Sequence, residues 1–111
     1  MENLKLPQPR SYIGEQTVMV RLTHMWRRRG EAVVVFSDAH FNLVRLEFNR
    51  VGSRVWELMD GGRSVTAIVD ELRREYPNVS GERITAGVIR FLERIRADWL
   101  AMSKEEFQTY E

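Results

Sequence analysis

The sequence predicts an α+β fold: a three-stranded antiparallel sheet followed by three helices, in a winged-helix-like arrangement. Two observations predict this fold. Before Phe48, apolar and polar residues alternate in short runs, which is typical of half-buried strands. After Asn49, the apolar residues recur every three or four positions, which is typical of amphipathic helices. Because a small sheet must cover its apolar face, the apolar stripes of the helices are expected to pack against it.

Three runs form the predicted strands, at residues 17–26, 32–36 and 43–48. The segment 27–31, RRRGE, separates the first two runs, and its polar residues with a glycine favour a hairpin turn. The turn-like segment 37–40 separates the second and third runs, so short connections predict an antiparallel meander. The side chains expected on the apolar face of the sheet are Val18, Val20, Leu22, Val44, Leu46 and Phe48.

Each predicted helix begins after a residue that favours the N-cap position. Asn49 precedes the first helix, Ser64 the second and Ser80 the third. The first helix covers residues 50–59, and Pro77 ends the second because proline cannot continue the backbone hydrogen bonds. The residues of the first helix expected in the core are Val51, Val55 and Leu58.

The chain ends are expected to lie outside the folded domain, which spans residues 17–102. Residues 1–16 show no apolar period and are predicted to form a flexible arm, and residues 103–111 a polar tail that frays. No apolar run resembles a signal peptide or approaches the ~20 residues of a membrane span, so a cytoplasmic protein without membrane association is expected. The apolar residues of the arm expected to dock onto the domain are Leu4, Leu6 and Ile13.

The composition excludes several classes of site and gives a weak case for catalysis. The chain has no cysteine, so disulfides, thiolate metal sites and cysteine nucleophiles are excluded. Its two histidines, His24 and His40, lack the spacing of metal ligands, and no phosphate-binding glycine loop is present. We therefore predict no enzymatic activity, no metal and no cofactor. The net charge of +1 argues against a sequence-independent nucleic-acid binder.

The third predicted helix carries a row of arginines on one face. The residues that share this face by helical spacing are Arg83, Gly87, Arg90 and Arg94. Phe91 lies at the border between this face and the apolar stripe. The face is interpreted either as the solvated side of an amphipathic helix or as the wall of a groove. Because glycine lowers helix stability by about 1 kcal/mol relative to alanine, Gly87 favours the close approach of a neighbouring helix or a bound chain.

The strand at residues 43–48 is expected to lie at the edge of the meander, with its outer backbone N–H and C=O groups unpaired. Its outward side chains, Arg45 and Glu47, are interpreted in two ways. They are either charges that prevent aggregation or part of an edge that accepts a strand from a bound peptide. The same open edge allows two copies of the chain to pair, so a homodimer is an alternative.

The junction between the strands and the helices carries the most specific pattern. Residues 48–61, FNRVGSRVWELMDG, resemble the pattern Leu-Asn-x-x-Gly-x-x-Ile-Trp-x-Leu-x-Asp-Gly of the PqqD-like family, whose members are also called RiPP recognition elements. Residues 64–72 and 88–95 resemble the second and third helices of that family. Phe48 stands where the family has leucine, and residues 98–100, DWL, stand where it usually has a glycine and a hydrophobic residue.

The resemblance, which covers roughly residues 17–102, implies a noncatalytic peptide-binding protein with the same order of strands and helices. Family members bind the leader segment of a ribosomally made precursor peptide and present it to a modifying enzyme, often a radical SAM protein. The product is PQQ or another ribosomally synthesised, modified peptide. The leader adds as a strand to the edge of the third strand and packs against the third helix. Carried over to this sequence, the implied peptide-binding residues are Leu43, Val44, Arg45, Leu46, Glu47, Phe48, Arg83, Gly87, Arg90, Phe91 and Arg94.

The leading hypothesis is therefore a peptide chaperone in which arginines of the third helix meet acidic residues of the leader. The alternative is a winged-helix DNA-binding regulator with the third helix as its recognition helix. Glu82, Glu93 and Asp98 dilute the positive charge of that helix, which makes nucleic acid the less favoured partner. The basic cluster at 27–29 is interpreted as a solvated hairpin tip, with a contact to phosphate or an acidic peptide as the alternative.

Overall fold

The structure, a computed structural model, describes residues 12–37 and 44–110. The predicted α+β fold is confirmed, and the structure adds a two-stranded sheet and a short C-terminal helix. No helix within these two ranges is long and apolar enough to cross a membrane. The elements in chain order are β1 (Met19–Arg21), β2 (Trp26–Arg29), β3 (Ala32–Ser37), β4 (Val44–Glu47), α1 (Arg50–Leu58), α2 (Val65–Glu75), α3 (Gly81–Ala97), β5 (Ala101–Ser103) and α4 (Lys104–Gln108).

The three-stranded sheet has the order β2-β3-β4 with antiparallel neighbours, and Val35 of β3 pairs with Leu46 of β4. The prediction that 27–31 is a turn is wrong for its arginines, which belong to β2. Only Gly30 and Glu31 make the turn. Gly30 has a φ of 62°, the left-handed conformation that the first position of a two-residue hairpin loop requires.

The predicted first strand at 17–26 is wrong in its pairing and in its register. Only Met19–Arg21 forms a strand in the first part of that run, and it pairs with β5 rather than with the meander. Met19 is buried, with 1% of its surface exposed. The three alternate positions predicted to face the core are only half-buried: Val18, Val20 and Leu22. Because apolar residues occupy both faces of this run, its distant partner β5 decides which face is buried.

The C-terminal segment is folded rather than frayed. Trp99 has a φ of 59° and turns the chain out of α3, which leaves Leu100 buried. Residues Ala101–Ser103 then form β5. Ser103 and Glu106 form a capping box in which each side chain bonds the other's backbone N–H, and α4 begins there. The fraying predicted from Ser103 onward is therefore wrong.

The three predicted N-caps are confirmed. The side chain of Asn49 accepts a hydrogen bond from the Gly52 amide at 2.8 Å. Ser64 and Ser80 accept equivalent bonds from the amides three residues later, each at 3.2 Å. Each bond satisfies a backbone donor that the first turn of a helix leaves without a partner, so local chemistry fixes where the three main helices start.

The hydrophobic core lies between the three-stranded sheet and the helices. Trp56 of α1 is its largest fully buried side chain. The Trp56 ring meets Trp26 of β2 edge-on, with centroids 6.1 Å apart, and packs against Phe48 at 5.5 Å. This aromatic cluster ties the first helix to both edges of the sheet.

The predictions for the first helix and the N-terminal arm are partly confirmed. Val55 and Leu58 are buried, but Val51 is 44% exposed, so its assignment to the core is wrong. Ile13 is fully buried, which confirms that it docks onto the domain. Four residues that the sequence singles out lie outside the described residues: Leu4, Leu6, His40 and Leu43.

Ser53 of α1 joins the sheet to the helices. Its fully buried hydroxyl donates a hydrogen bond to the Phe48 carbonyl at 3.2 Å and accepts one from the Val33 amide at 2.7 Å. The side chain thus continues the hydrogen bonding between β3 and β4 into the first helix. This bridge fixes the direction in which the chain leaves β4 and places α1 beside it.

Candidate functional site

Among residues 12–37 and 44–110, nothing pairs with the outer edge of β4, as the sequence predicts. The Phe48 amide donates to the Val33 carbonyl of β3 at 3.0 Å. Successive residues of a strand point their backbone N–H and C=O groups to opposite sides. The backbone groups of Leu46 therefore also face β3, whereas those of Arg45 and Glu47 face outward. Within the described part of the chain, no strand pairs with that outer side. The edge therefore offers backbone donors and acceptors to an added strand.

A groove lies between β4 and the C-terminal half of α3, and we call it the strand groove. Its volume is about 300 Å³. The rings of Phe48 and Phe91 meet edge-on in its wall, with centroids 5.0 Å apart and planes at 87°. The residues that line it are Leu46, Glu47, Phe48, Asn49, Phe91, Arg94, Ile95 and Asp98. An extended peptide on the open edge of β4 would place alternate side chains against this partly apolar wall.

A second cavity, of about 430 Å³, lies between α1, α2 and α3, and we call it the helical cleft. Its walls are mostly apolar, and the charged residues that line it within the described part of the chain are three arginines, with no carboxylate among them. The lining residues are Asn49, Val51, Gly52, Val55, Leu72, Tyr76, Val79, Arg83, Ile84, Gly87, Val88, Arg90, Phe91 and Arg94. The exposed apolar side chains here include Val51, at 44%, and Val79, at 37%.

The strand groove and the helical cleft adjoin each other along α3. Asn49, Phe91 and Arg94 line both cavities. A Cβ atom added at Gly52 would lie 2.8 Å from Cε1 of Phe91, so only glycine lets the ring sit this close to α1. Gly52 and Phe48 together therefore fix the position of the Phe91 ring, which contributes to the walls of both cavities.

Close approach to a helix backbone occurs at a different glycine from the one that the sequence suggests. Gly87 was interpreted as the position of close approach, but no atom lies within 4 Å of a Cβ built there. The neighbouring-helix explanation of Gly87 is therefore wrong, and its Cβ position faces open space beside the helical cleft. The close approach is that of the Phe91 ring to Gly52. The glycine that the family pattern has at this position is the sequence signal for it.

Three arginines of α3 differ from most of the other described arginines because no carboxylate neutralises them within the described residues. Arg83, Arg90 and Arg94 are exposed, and we call them the cleft arginines. Among residues 12–37 and 44–110, no ion pair joins any of the three to an acidic side chain. Unpaired cations beside an apolar cavity can meet the carboxylates of a ligand without first breaking internal contacts.

The structure divides the predicted peptide-binding residues between the two cavities. Those that line the strand groove are Leu46, Glu47, Phe48, Phe91 and Arg94. Those that line only the helical cleft are Arg83, Gly87 and Arg90. Val44 and Arg45 lie in β4, and Leu43 lies outside the described residues. The division arises because α3, at 17 residues, is long enough to pass both β4 and α1.

Sequence reasoning missed several lining residues. Val51 is expected in the core and Asn49 at a helix cap, and Ile95 is not among the predicted site residues, yet all three line the cavities. Helical periodicity shows which side of a helix is apolar, but not where a gap between helices leaves that side accessible. Asp98 also lines the strand groove, and the signal available for it is that it lies within residues 98–100, where the sequence departs from the family pattern.

The opposite side of α1 carries a network of ion pairs, which we call the paired surface and define by Arg28, Arg54, Glu57 and Glu75. Arg28 donates two hydrogen bonds to the Glu57 carboxylate, at 2.6 and 2.7 Å. Arg54 bonds Glu75 at 2.8 Å and lies 3.7 Å from Glu57. The hydrogen bonds from Arg28 hold the pKa of Glu57 below its ordinary value. The network links β2, α1 and α2, which gives these charges a structural explanation.

The remaining titratable groups of residues 12–37 and 44–110 do not form a metal centre. Within the described residues, no cluster of three or more histidine, aspartate or glutamate side chains is placed to hold a metal ion. Arg21 stacks over the Trp26 ring at 5.0 Å and donates to the Trp56 carbonyl at 2.7 Å. Burial lowers the pKa of Arg21 from its ordinary value, but an arginine remains charged at neutral pH.

Comparisons with known proteins agree on the type of fold. A solved structure titled "TbiB1 in Complex with the TbiA(beta) Leader Peptide" matches with a TM-score of 0.61 and 23% identity, over 76% of this chain and 88% of that chain. No curated protein matches the chain. The model of the family described as Coenzyme PQQ synthesis protein D (PqqD) matches residues 41–100, more than half of the sequence. These residues contain β4, the three main helices and the lining of both cavities, and the chain belongs to the PqqD family.

Proposed function

We propose that this protein is a noncatalytic recognition element for the leader segment of a ribosomally synthesised precursor peptide. The leader adds as a strand to the outer edge of β4, and the protein presents it to a modifying enzyme such as a radical SAM protein. Membership of the PqqD family supports this role. The solved TbiB1 structure supports it further, because that protein shares the fold and is in complex with a leader peptide. Family membership favours peptide binding over the DNA-binding alternative.

The observation that carries the proposal is the open edge of β4 beside a partly apolar groove. The outward backbone groups of Arg45 and Glu47 supply hydrogen bonds that are independent of the peptide's sequence. The strand groove supplies selectivity, because apolar side chains of the leader pack against Leu46, Phe48 and Phe91. The product, PQQ or another modified peptide, depends on the precursor. Since that precursor is made on ribosomes, the proposed place of action is the cytoplasm.

A proline in β4 tests strand addition directly. Arg45→Pro removes an outward N–H and fills the edge with the proline ring, but leaves the bonds to β3 intact because Arg45 faces away from it. The probe is a fluorescein-labelled leader peptide of the precursor, and we expect its binding to fall at least ~100-fold in fluorescence anisotropy, about 3 kcal/mol. The loss reflects the missing donor and the steric block of the neighbouring strand position.

Arg45→Ala is the matched control, because it removes the same side chain and keeps the N–H. It should weaken binding at most a few-fold, and both variants should unfold cooperatively near the wild-type temperature. Equal affinities for the proline and alanine variants would show that the leader does not add to β4. Light scattering on the free protein distinguishes the homodimer alternative, in which a second copy occupies the same edge.

A further inference from the structure

We propose that the helical cleft is a second subsite for the same peptide, occupied by a segment that carries an apolar side chain followed or preceded by an acidic one. This inference rests on the proposed function and names what the peptide must contain beyond the residues that pair with β4. The leader therefore binds in two parts. One part adds to the strand groove as a strand, and the other passes Asn49 and the Phe91 ring to enter the helical cleft.

The dimensions of the two cavities require a peptide longer than the strand. β4 has 4 residues and so offers roughly 13 Å of edge. Along α3, the lining residues extend from Arg83 to Asp98, which corresponds to roughly 22 Å of helix. Because β4 leads through Asn49 into α1, an added strand that continues past Asn49 reaches the wall of the helical cleft.

The charges assign the acidic residue of the peptide to the helical cleft rather than to the strand groove. The strand groove has Arg94 but also Glu47 and Asp98 in its lining, so it gives an acidic side chain little net attraction. The helical cleft has Arg83, Arg90 and Arg94 and, among the described residues, no carboxylate. This complementarity commits the occupant to an acidic peptide segment.

The apolar walls of the helical cleft indicate that an apolar side chain of the peptide binds there as well. Val51 and Val79 are exposed large hydrophobic residues that line the helical cleft. The space beside Gly87 is open, with no atom within 4 Å of a Cβ placed there. An aliphatic or aromatic side chain of the peptide in this space would cover the exposed valines, while a neighbouring carboxylate reaches the arginines.

Gly87→Leu tests this subsite by filling it from the protein side. Leucine favours a helix more than glycine does and meets no atom at Cβ, so the fold should be retained, as thermal unfolding will show. The probes are the same leader peptide in synthetic form and two shorter peptides, one truncated at each end. We expect Gly87→Leu to weaken the full leader at least ~10-fold. One of the shortened peptides lacks the part of the leader that binds in the helical cleft, and Gly87→Leu should not change the affinity for that peptide.

A second variant, Arg83→Gln with Arg90→Gln, removes the two positive charges and tests the acidic contact without filling the cleft. It should weaken the full leader and spare the same shortened peptide. Wild-type affinity of Gly87→Leu for the full leader would overturn the second subsite, even if Arg45→Pro abolishes binding and so supports the proposed function. Equal losses for full and shortened peptides would also overturn it, because they would show a distorted strand groove. If Gly87→Leu changes the molar mass of the free protein in solution, the occupant of the cleft is a second copy of the chain and not the peptide, which also overturns the proposal.

Discussion

Two arginine-rich surfaces of this fold differ in how their charges are neutralised. On the paired surface, the Glu57 carboxylate accepts two hydrogen bonds from Arg28, and Arg54 connects it to Glu75. On the other side of α1, the cleft arginines lie beside an apolar cavity whose described lining contains no carboxylate. The same residue type therefore joins secondary-structure elements in one place and is available to an acidic ligand in the other.

The difference shows how to separate structural from functional charges in a protein with a net charge near zero. A paired arginine gains little from a ligand, because its carboxylate must first be displaced. An unpaired arginine near apolar surface steers an acidic peptide and meets it without that cost. The paired surface should therefore control stability and the cleft arginines should control binding, and substitutions on the two surfaces can test that separation.

Among substitutions on these two arginine-rich surfaces, the largest expected effect comes from reversing charge in the helical cleft. Arg83→Glu with Arg90→Glu replaces two attractions for an acidic leader by two repulsions, which we expect to weaken binding by about 2 kcal/mol, roughly thirtyfold. Isothermal titration calorimetry at low and high salt measures the change, which should shrink as salt screens it. The fold should be unaffected, because Arg83 is the third residue of α3 and a glutamate there forms a capping box with Ser80.

The matched control makes the same change of net charge on the hairpin. Arg27→Glu with Arg29→Glu alters two exposed arginines of β2, which lie in the cluster interpreted as a solvated tip. We expect at most a twofold change in leader affinity at physiological salt. If this variant loses as much affinity as the cleft variant, then net charge rather than the cleft position governs binding, and the contrast between the two surfaces fails.

The paired surface should show the reverse pattern. Glu57→Gln keeps the shape of the side chain but removes the charge that Arg28 and Arg54 share, so we expect a loss of about 1 kcal/mol in the free energy of unfolding. Urea denaturation measures that loss, and leader affinity should remain at the wild-type value. A variant that binds less tightly at unchanged stability would place Glu57 in the binding site instead.

The same carboxylate predicts how stability depends on acid. Because hydrogen bonds from Arg28 lower the pKa of Glu57, its contribution is fully present above the ordinary carboxyl pKa and is lost as pH falls through the lowered value of the folded state. The pKa of Asp60 is lowered too, chiefly by the Gly62 amide and also by Arg63. Between pH 7 and pH 3, the wild type should therefore lose more unfolding free energy than Glu57→Gln, whose remaining loss comes from groups such as Asp60.

Local chemistry made the helical half of the fold predictable. Asn49, Ser64 and Ser80 cap the helices where the sequence places them, because an N-cap needs only a side chain and an amide a few residues away. The open edge of β4 was equally predictable, since it follows from the order of a meander. Long-range pairing was not: β1 pairs with β5 from the other end of the domain, and no local signal specifies that partner.

The candidate site was predictable in its elements but not in its shape. The sequence placed Arg83, Gly87, Arg90 and Arg94 on one helical face, and all four line the helical cleft. It could not show that this face meets α1 and α2 rather than β4 over its first half. That division depends on the packing of the Phe91 ring over Gly52, a contact between distant parts of the chain.

The smallest expected effect tests whether an ion pair alone stabilises the fold. Arg74 bonds Glu71 at 3.0 Å within α2, but its side chain is 70% exposed, compared with 39% for Arg28. An exposed pair three residues apart on a helix contributes only about 0.3–0.5 kcal/mol, because water and salt screen it. Arg74→Gln should therefore shift the free energy of unfolding by less than Glu57→Gln in the same urea titrations, and leader affinity should not change. Suppose instead that Arg74→Gln lowers the free energy of unfolding as much as Glu57→Gln does. Any ion pair would then stabilise the fold to the same extent, and the contribution of Glu57 would not depend on its contacts with both Arg28 and Arg54.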